Sequence, residues 1–472
     1  MKIFVPCLVI LAGLTTNLMA EETAQQREFN WPEWRGPLAT GVAPHGNPPL
    51  KWSEEENVDW KVEIPGLGYS SPIVWGDQVF VLTAVDTGKK GQPTAKPDTA
   101  QAKEQRPTGD RPRGRGRGRG RGGRGRRPSE APTTIHDFVV MSLNRKSGDV
   151  IWKKTARSQV PHEGFRPGDN SFASASPVTD GKYLYASFGS FGIYCYDLKG
   201  KLIWEKDLGD FHMRNGFGEG GTPALHGDWL IVNCDQETDS FIVGMNAKTG
   251  EIQWKIDRDE ASSWGTPLIV EFDGKTQVVV NGANRVRSYD INNGKVIWEC
   301  GGQTGNVIPA PVRLGDNVIC MSGWKGTAIF SIPLSAQGDI SGTDTINWYY
   351  DRSSDYRAGT PYVPSPLLYG DALYFLKSYN GILTRMSAVT GEVDYDNKRL
   401  ASISRVYASP VGAADRVYIT GRSGTTMVLK LSPEYEVLAT NKLDSPVDAT
   451  PAIVGDQMIV RGQKYLYCFR EK

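Results

Sequence analysis

An all-β chain closed into a ring of four-stranded antiparallel blades is what the 472-residue sequence predicts, on three observations. The first is composition: 53 Gly, 13 Trp and 19 Tyr with only 39% apolar residues favour many short strands and tight turns over helices. The second is a repeat. A small residue followed by Pro occurs at Ser71-Pro72, Ser176-Pro177, Thr222-Pro223, Thr266-Pro267, Ala310-Pro311, Ser365-Pro366, Ser409-Pro410 and Thr450-Pro451. After the first interval the spacings are 46, 44, 44, 55, 44 and 41. The third is period-2 alternation between turns, as in Tyr183–Ser187 and Ile193–Asp197. A four-stranded unit of ~40–45 residues is a propeller blade, so the expectation is an eight-bladed β-propeller.

In chain order, the first element is an address. Lys2 precedes an apolar run from Ile3 to Leu14, and Ala20 stands before Glu21-Glu22. This is the pattern of a secretory signal peptide over residues 1–20, with Leu18 bulky at its −3 place. Export to the periplasm or the exterior is therefore expected. No interior stretch approaches the ~20 apolar residues of a membrane span. Residues 21–56 read as an N-terminal extension packed on the propeller. Cys7 lies in the leader, while Cys195, Cys234, Cys300, Cys320 and Cys468 are odd in number and scattered. Small buried strand residues are expected there, not a disulfide framework.

The propeller itself spans 57–472. In six units Gly returns four residues after the Pro, at Gly76, Gly181, Gly227, Gly315, Gly370 and Gly455, each beside an Asp. Gly and Asp accept the positive φ of a tight hairpin turn. A second turn glycine at Gly148, Gly200, Gly250, Gly294 and Gly391 precedes an aromatic by four residues: Trp152, Trp204, Trp254, Trp298 and Tyr395. These aromatics are expected to pack between blades rather than to hold a cofactor. The chain ends on Lys464–Arg470, a third strand without its fourth, and opens on Asn57–Ile64, a Trp-bearing fourth strand with nothing before it. Pairing the two closes the ring and removes exposed edges. A monomer is expected.

The net charge of +1 hides an asymmetry. Residues 86–134, an insert within the first blade, hold 14 Lys/Arg and 5 Asp/Glu, so the rest of the chain carries −8. The insert's core, Arg111 to Arg127, alternates Arg with Gly and contains no apolar residue, which predicts a disordered loop. Arg-Gly tracts pair with RNA phosphates. In an exported chain nucleic acid is not the expected partner, and the tract is expected to contact anionic polymers or lipid head groups.

With strands running from axis to rim, the loop between second and third strands and the connection to the next blade share one face. This upper face is where the sequence departs from its repeat. It receives His162-Glu-Gly-Phe-Arg166, His212-Met-Arg-Asn215, Ser263-Trp264, Trp324-Lys325, Tyr356-Arg357 and Arg405-Val-Tyr407. Nucleophile elbows, phosphate-binding glycine loops, haem-attachment and zinc-helix motifs are missing from the sequence. His162 and His212 fall on neighbouring connections and, with an acidic residue, would make a metal site; Asp235 is the carboxylate chosen, with Glu163 and Asp169 as alternatives.

The repeat, with its Ser/Thr-Pro, Gly-Asp turn and Tyr-Asp-x-x-x-Gly-x-x-x-Trp run from Tyr289 to Trp298, resembles the pyrroloquinoline-quinone (PQQ) type propeller repeat. The leader Trp31-Pro-Glu-Trp-Arg-Gly-Pro37, Trp52–Val58 and Asn170–Gly181 are similar to exported PQQ-like repeat proteins of planctomycete-type bacteria. The same repeat class holds quinoprotein alcohol dehydrogenases and the propeller lipoprotein of outer-membrane β-barrel assembly. The dehydrogenase branch implies PQQ on a Trp beside Ca²⁺, capped by a vicinal disulfide, and no adjacent cysteines exist here. Carried onto this chain, the resemblance implies Trp264 as a stacking platform, with Arg166, Glu219, Asn306, Arg357 and Arg405 at the channel mouth. Two functions follow as expectations. The first is a binding scaffold whose upper face engages a polysaccharide, peptide or protein partner without a required cofactor. The alternative is a periplasmic dehydrogenase using PQQ and Ca²⁺ to oxidise alcohols or sugars.

Overall fold

The computed structural model describes residues 25–92, 130–356 and 359–472. The signal-peptide reading at 1–20, the Arg-Gly tract at 111–127 and Arg357 lie outside them. Eight sheets, each built on four antiparallel strands, form an eight-bladed β-propeller. Blade 1 comprises Ile73–Trp75, Gln78–Lys90, Thr134–Asn144 and Val150–Gln159. Blade 8 takes Ala452–Val454, Gln457–Arg461 and Tyr465–Phe469 from the chain's end, and its outer strand, Val58–Glu63, from the beginning. Trp60 pairs with Cys468 and Val62 with Leu466, so the ring closes as the sequence predicts.

Cores form between blades, where the face of one sheet lies on its neighbour. Val279, Val286 and Trp298 of blade 4, for example, pack with Val318, Phe330 and Ile332 of blade 5. All five cysteines among the described residues are free and buried in these layers.

The Gly-to-Trp spacing has a mechanical reason. Four outer-strand Trp residues lie on the turn glycine of the next blade: Trp60 on Gly148, Trp152 on Gly200, Trp204 on Gly250 and Trp254 on Gly294. A Cβ on any of these glycines would stand 2.7–2.8 Å from the indole or its neighbours. The indole N–H then donates to that blade's turn, from Trp60 to Arg145 O at 2.7 Å, Trp152 to Leu198 O at 2.9 Å, Trp204 to Ala247 O at 2.8 Å and Trp254 to Ile291 O at 2.7 Å. At these four seams one residue therefore supplies both apolar contact and a hydrogen bond, whereas Trp298 donates within its own blade to Gln277 Oε1 at 3.2 Å.

The residue before each Pro does more than be small. Its hydroxyl accepts the backbone N–H of the equivalent residue one blade earlier: Ser71 N to Ser176 Oγ, Ser176 N to Thr222 Oγ1, Ser365 N to Ser409 Oγ, Ser409 N to Thr450 Oγ1 and Thr450 N to Ser71 Oγ. A hydrogen-bonded collar thus runs around most of the axis, from Ala310, whose N–H reaches Ser365 Oγ at 2.9 Å, on to Thr222. Ala310 carries no hydroxyl to continue it, and Thr266 Oγ1 instead accepts the Trp34 indole N–H at 3.1 Å.

That contact belongs to the N-terminal extension, which threads the axis rather than lying on the outside. It enters at the first turn of blade 1, where Asn30 Oδ1 accepts Gly76 N–H, and leaves at that of blade 8, where Asn47 N–H reaches Gly455 O. Between these points Arg35, buried, donates to the carbonyls of Thr40, Pro366 and Pro410. Two further details differ from the sequence reading. The strands flanking the insert run to Lys90 and from Thr134, with Asp86 opposite His136, so residues 86–90 are ordered sheet. The long 55-residue interval is spent on Gly338–Asp339, a parallel fifth strand covering the outer edge of blade 4.

Candidate binding site

The upper-face connections enclose an axial cavity of about 390 Å³, within the ~300–1,000 Å³ range of ligand pockets. Its base is the Ser/Thr collar with Trp34 as floor, because the extension occupies the axis from the opposite face. The cavity therefore opens on the upper face.

One half of the wall is an arc of aromatic rings from blades 5 to 7. Trp324 and Tyr362 have centroids 4.7 Å apart, Tyr362 and Tyr379 6.0 Å, Tyr379 and Tyr407 6.1 Å. Trp264 faces them, fixed by its indole N–H to Gly218 O at 2.8 Å and edge-on to Phe217. The charged groups are arranged around Arg422. Its Nε and Nη2 fork onto Asp448 at 2.5 and 2.9 Å, its guanidinium covers the Tyr407 ring at 3.9 Å, and Asp169 accepts the Tyr407 hydroxyl at 3.0 Å. Burial pushes the Asp448 carboxyl up and Arg422 opposes that push. Arg166 pairs with Asp169 at 3.4 Å. Arg405 is exposed, lies 5.9 Å from the Tyr379 ring centroid, and has no carboxylate within salt-bridge distance among the described residues.

Of the residues expected at the channel mouth, Trp264, Arg166 and Arg405 line this cavity. Asn306 is buried against the Tyr362 hydroxyl, behind the wall. Arg357 is outside the described residues. Glu219 lines a smaller recess beside the cavity, which shares Trp264, Ser174 and Gly220 with it. Its Oε1 accepts the Ser190 hydroxyl at 2.6 Å and its Oε2 the Ser190 N–H at 2.8 Å, pressed so closely on Gly189 that a side chain there would overlap it. Burial raises the Glu219 carboxyl from 4.5 to about 8 against the pull of Ser190, with help from Glu163 and Asp210.

The sign of that shift gives a prediction. A carboxyl protonated in the folded state and ionised in the unfolded chain stabilises fully below about 4.5, and that contribution fades as pH rises through about 8. The slope is at most ~1.4 kcal/mol per pH unit. Glu219→Gln keeps the shape and removes the ionisation, so its unfolding midpoint should fall less steeply than wild type between these pH values. Parallel profiles would show Glu219 ionised in the fold.

The expected metal set is partly assembled. His162 and His212 have centroids 5.8 Å apart, and the carboxylate beside them is Glu163, not Asp235. Asp235 is fully buried and committed elsewhere: Oδ1 takes Arg258 Nε at 2.7 Å, and Oδ2 takes Ser263 Oγ at 2.5 Å, Asn233 Nδ2 at 3.1 Å and Arg258 Nη2 at 3.2 Å. The sequence reading did not single out Tyr362, Tyr379, Asp448 or Arg422, and it took Trp34 only as part of the leader motif. Tyr362 and Asp448 stand just ahead of Ser365-Pro366 and Thr450-Pro451, and Tyr379 lies between the second and third strands of blade 6, so position on upper-face connections was the available signal.

A family model described as outer membrane protein assembly factor BamB matches residues 136–397. Among curated proteins, methanol dehydrogenase [cytochrome c] subunit 1 of Methylobacterium organophilum is 26% identical over 153 residues, 27% of this chain. The chain spans only 23% of that relative's length. The quinohemoprotein alcohol dehydrogenase of Comamonas testosteroni superposes with a TM-score of 0.60 at 11% identity, covering 96% of this chain and 84% of that one. BamB from Moraxella catarrhalis gives 0.50 at 13% identity, covering 71% and 93%. At such identities the structural likeness is one of fold alone.

Proposed function

The chain belongs to the outer membrane protein assembly factor BamB family, and from that premise we propose that it is an exported binding scaffold whose axial cavity holds a projecting group of a polysaccharide, peptide or protein partner. The observation that carries this reading is the cavity itself: a blind, 390 Å³ space with an aromatic arc on one side and Arg405 without a carboxylate partner among the described residues. Such a wall suits a flat or apolar group bearing an acidic function, because the rings supply rigid contact area and the guanidinium a charge-assisted hydrogen bond. The Arg-Gly insert leaves the same face, from the Gln78–Lys90 and Thr134–Asn144 hairpin, and adds long-range attraction for an anionic partner.

The experiment is a fluorescence titration with acidic oligosaccharides and with acidic or aromatic peptides. Saturable quenching that Arg405→Ala and Tyr379→Ala each weaken by at least ~10-fold, about 1.4 kcal/mol, is the expected result. Quenching unchanged in both variants would remove the cavity from the reading.

The dehydrogenase alternative draws on the fold likeness and on Trp264. The donor set does not fit a calcium-bound quinone. Ca²⁺ takes six to eight oxygen ligands, several of them ionised. In and beside the cavity Asp169 and Asp448 are already held by Arg166 and Arg422, and Glu219 is pushed toward its neutral form. An absorbance shift with PQQ and Ca²⁺, together with dye-linked alcohol oxidation, would reverse this conclusion.

A further inference from the structure

His162 and Glu163 lie on the connection from blade 1 to blade 2, and His212 on that from blade 2 to blade 3. One ligand-capable atom of each lies within 4.8 Å of the other two. His162 has a side chain only 5% exposed. Its Nε2 donates to Phe211 O at 3.0 Å, which leaves Nδ1 as the ring's lone pair. That Nδ1 is buried with no hydrogen-bond partner, and Asp210 stands 3.8 Å away. A buried acceptor left bare is unusual and asks for an occupant. Opposite it, His212 Nδ1 and Glu163 Oε1 face one another at 2.6 Å, while Glu163 Oε2 accepts Met213 N–H at 3.2 Å.

We propose that His162, Glu163 and His212 bind a divalent transition metal of the zinc type. Two imidazoles and one carboxylate suit Zn²⁺, whereas Ca²⁺ and Mg²⁺ take oxygen. The bond from His162 Nε2–H to a backbone carbonyl is the outer contact that orients a metal-binding histidine. Tetrahedral ligands ~2.0–2.1 Å from zinc stand ~3.3 Å apart, so binding replaces the 2.6 Å contact between His212 and Glu163 and gathers all three side chains to that common spacing. Both connections are loops, which accommodates that movement. With three protein ligands a fourth position stays open, and His162 and Glu163 line the recess that shares Trp264 with the axial cavity. The metal site stands whether or not the cavity binds the partner proposed above.

The test uses tag-free full-length protein stripped with chelator, then titrated calorimetrically with Zn²⁺ and optically with Co²⁺. One Zn²⁺ per chain and intense visible Co²⁺ bands are expected. His212→Ala and Glu163→Gln should abolish both, and His226→Ala, whose ring pairs with Glu271 on a first-turn hairpin, should leave both intact. No Zn²⁺ uptake at micromolar concentration would overturn the proposal. So would uptake equal in all three variants, or weak octahedral Co²⁺ bands in the wild type, a readout independent of how the variants fold.

Discussion

Asp235→Ala is expected to destabilise the protein by ~3–5 kcal/mol, read from urea unfolding at neutral pH. The magnitude follows from burial. Both side chains of the Asp235–Arg258 pair are at 0% exposure, and the guanidinium forks onto both carboxylate oxygens. Burial alone pulls the Arg258 guanidinium down, but Asp235, Tyr289 and Glu260 together hold it above its ordinary value. Removing Asp235 strands that cation in a layer where the nearest relief is the Tyr289 hydroxyl and ring. A second change, Arg258→Met, removes the stranded charge and should recover much of the loss, since an apolar side chain of similar size replaces a buried pair at little net cost. If the double variant is no more stable than Asp235→Ala, the pair is not the source of the loss. The same substitution bears on the site. Asp235 Oδ2 holds Ser263, the residue before Trp264, so the cavity wall should loosen even in molecules that remain folded.

Asp235 also shows where sequence reading stops. Its type and position allowed a metal ligand, and nothing in the sequence says that Arg258, 23 residues later, occupies it. Periodic features were legible because a propeller repeats its physics. The Gly-Asp turns, the Gly-x-x-x-Trp strands and the split last blade each recur or complement one another, so a single unit teaches the rest. Arg166, Trp264 and Arg405 could be placed on the cavity's face because loops that break the pattern gather on one face. Features that occur once were not legible. Trp34 and Arg35 look like an aromatic-rich leader, yet they fill the axis, since a ring of eight blades leaves a central hole that apolar and hydrogen-bonding groups can close. The collar of hydroxyls lay between the two cases. Ser or Thr precedes Pro in seven of eight blades, and the recurrent hydroxyl, not the smallness, was the informative property.

The seam between Trp60 and Gly148 should be the other costly place to disturb, because the N-terminal strand there is the ring's closure. Trp60→Ala removes a side chain only 7% exposed, and burying Trp is worth ~3–5 kcal/mol on truncation. It also deletes the donor to Arg145 O, leaving that turn without its 2.7 Å bond. The contribution of packing can be separated from that of the strand by a second change on the facing turn. Gly148 has φ +78°, and a Cβ there would lie 2.8 Å from the indole. In the native background Gly148→Ala therefore adds a clash of ~1–3 kcal/mol to a left-handed backbone strain of ~1–2 kcal/mol. Once Trp60 is Ala the clash is gone and only the strain remains. The cycle should show strong coupling, with Gly148→Ala distinctly milder in the truncated background, and additive losses would mean that the indole does not rest on the turn. Amide exchange gives the second reading. Val58–Glu63 is held by Tyr465–Phe469 across the whole length of the chain, and loss of the Trp60 anchor should raise exchange in these two strands before any other pair.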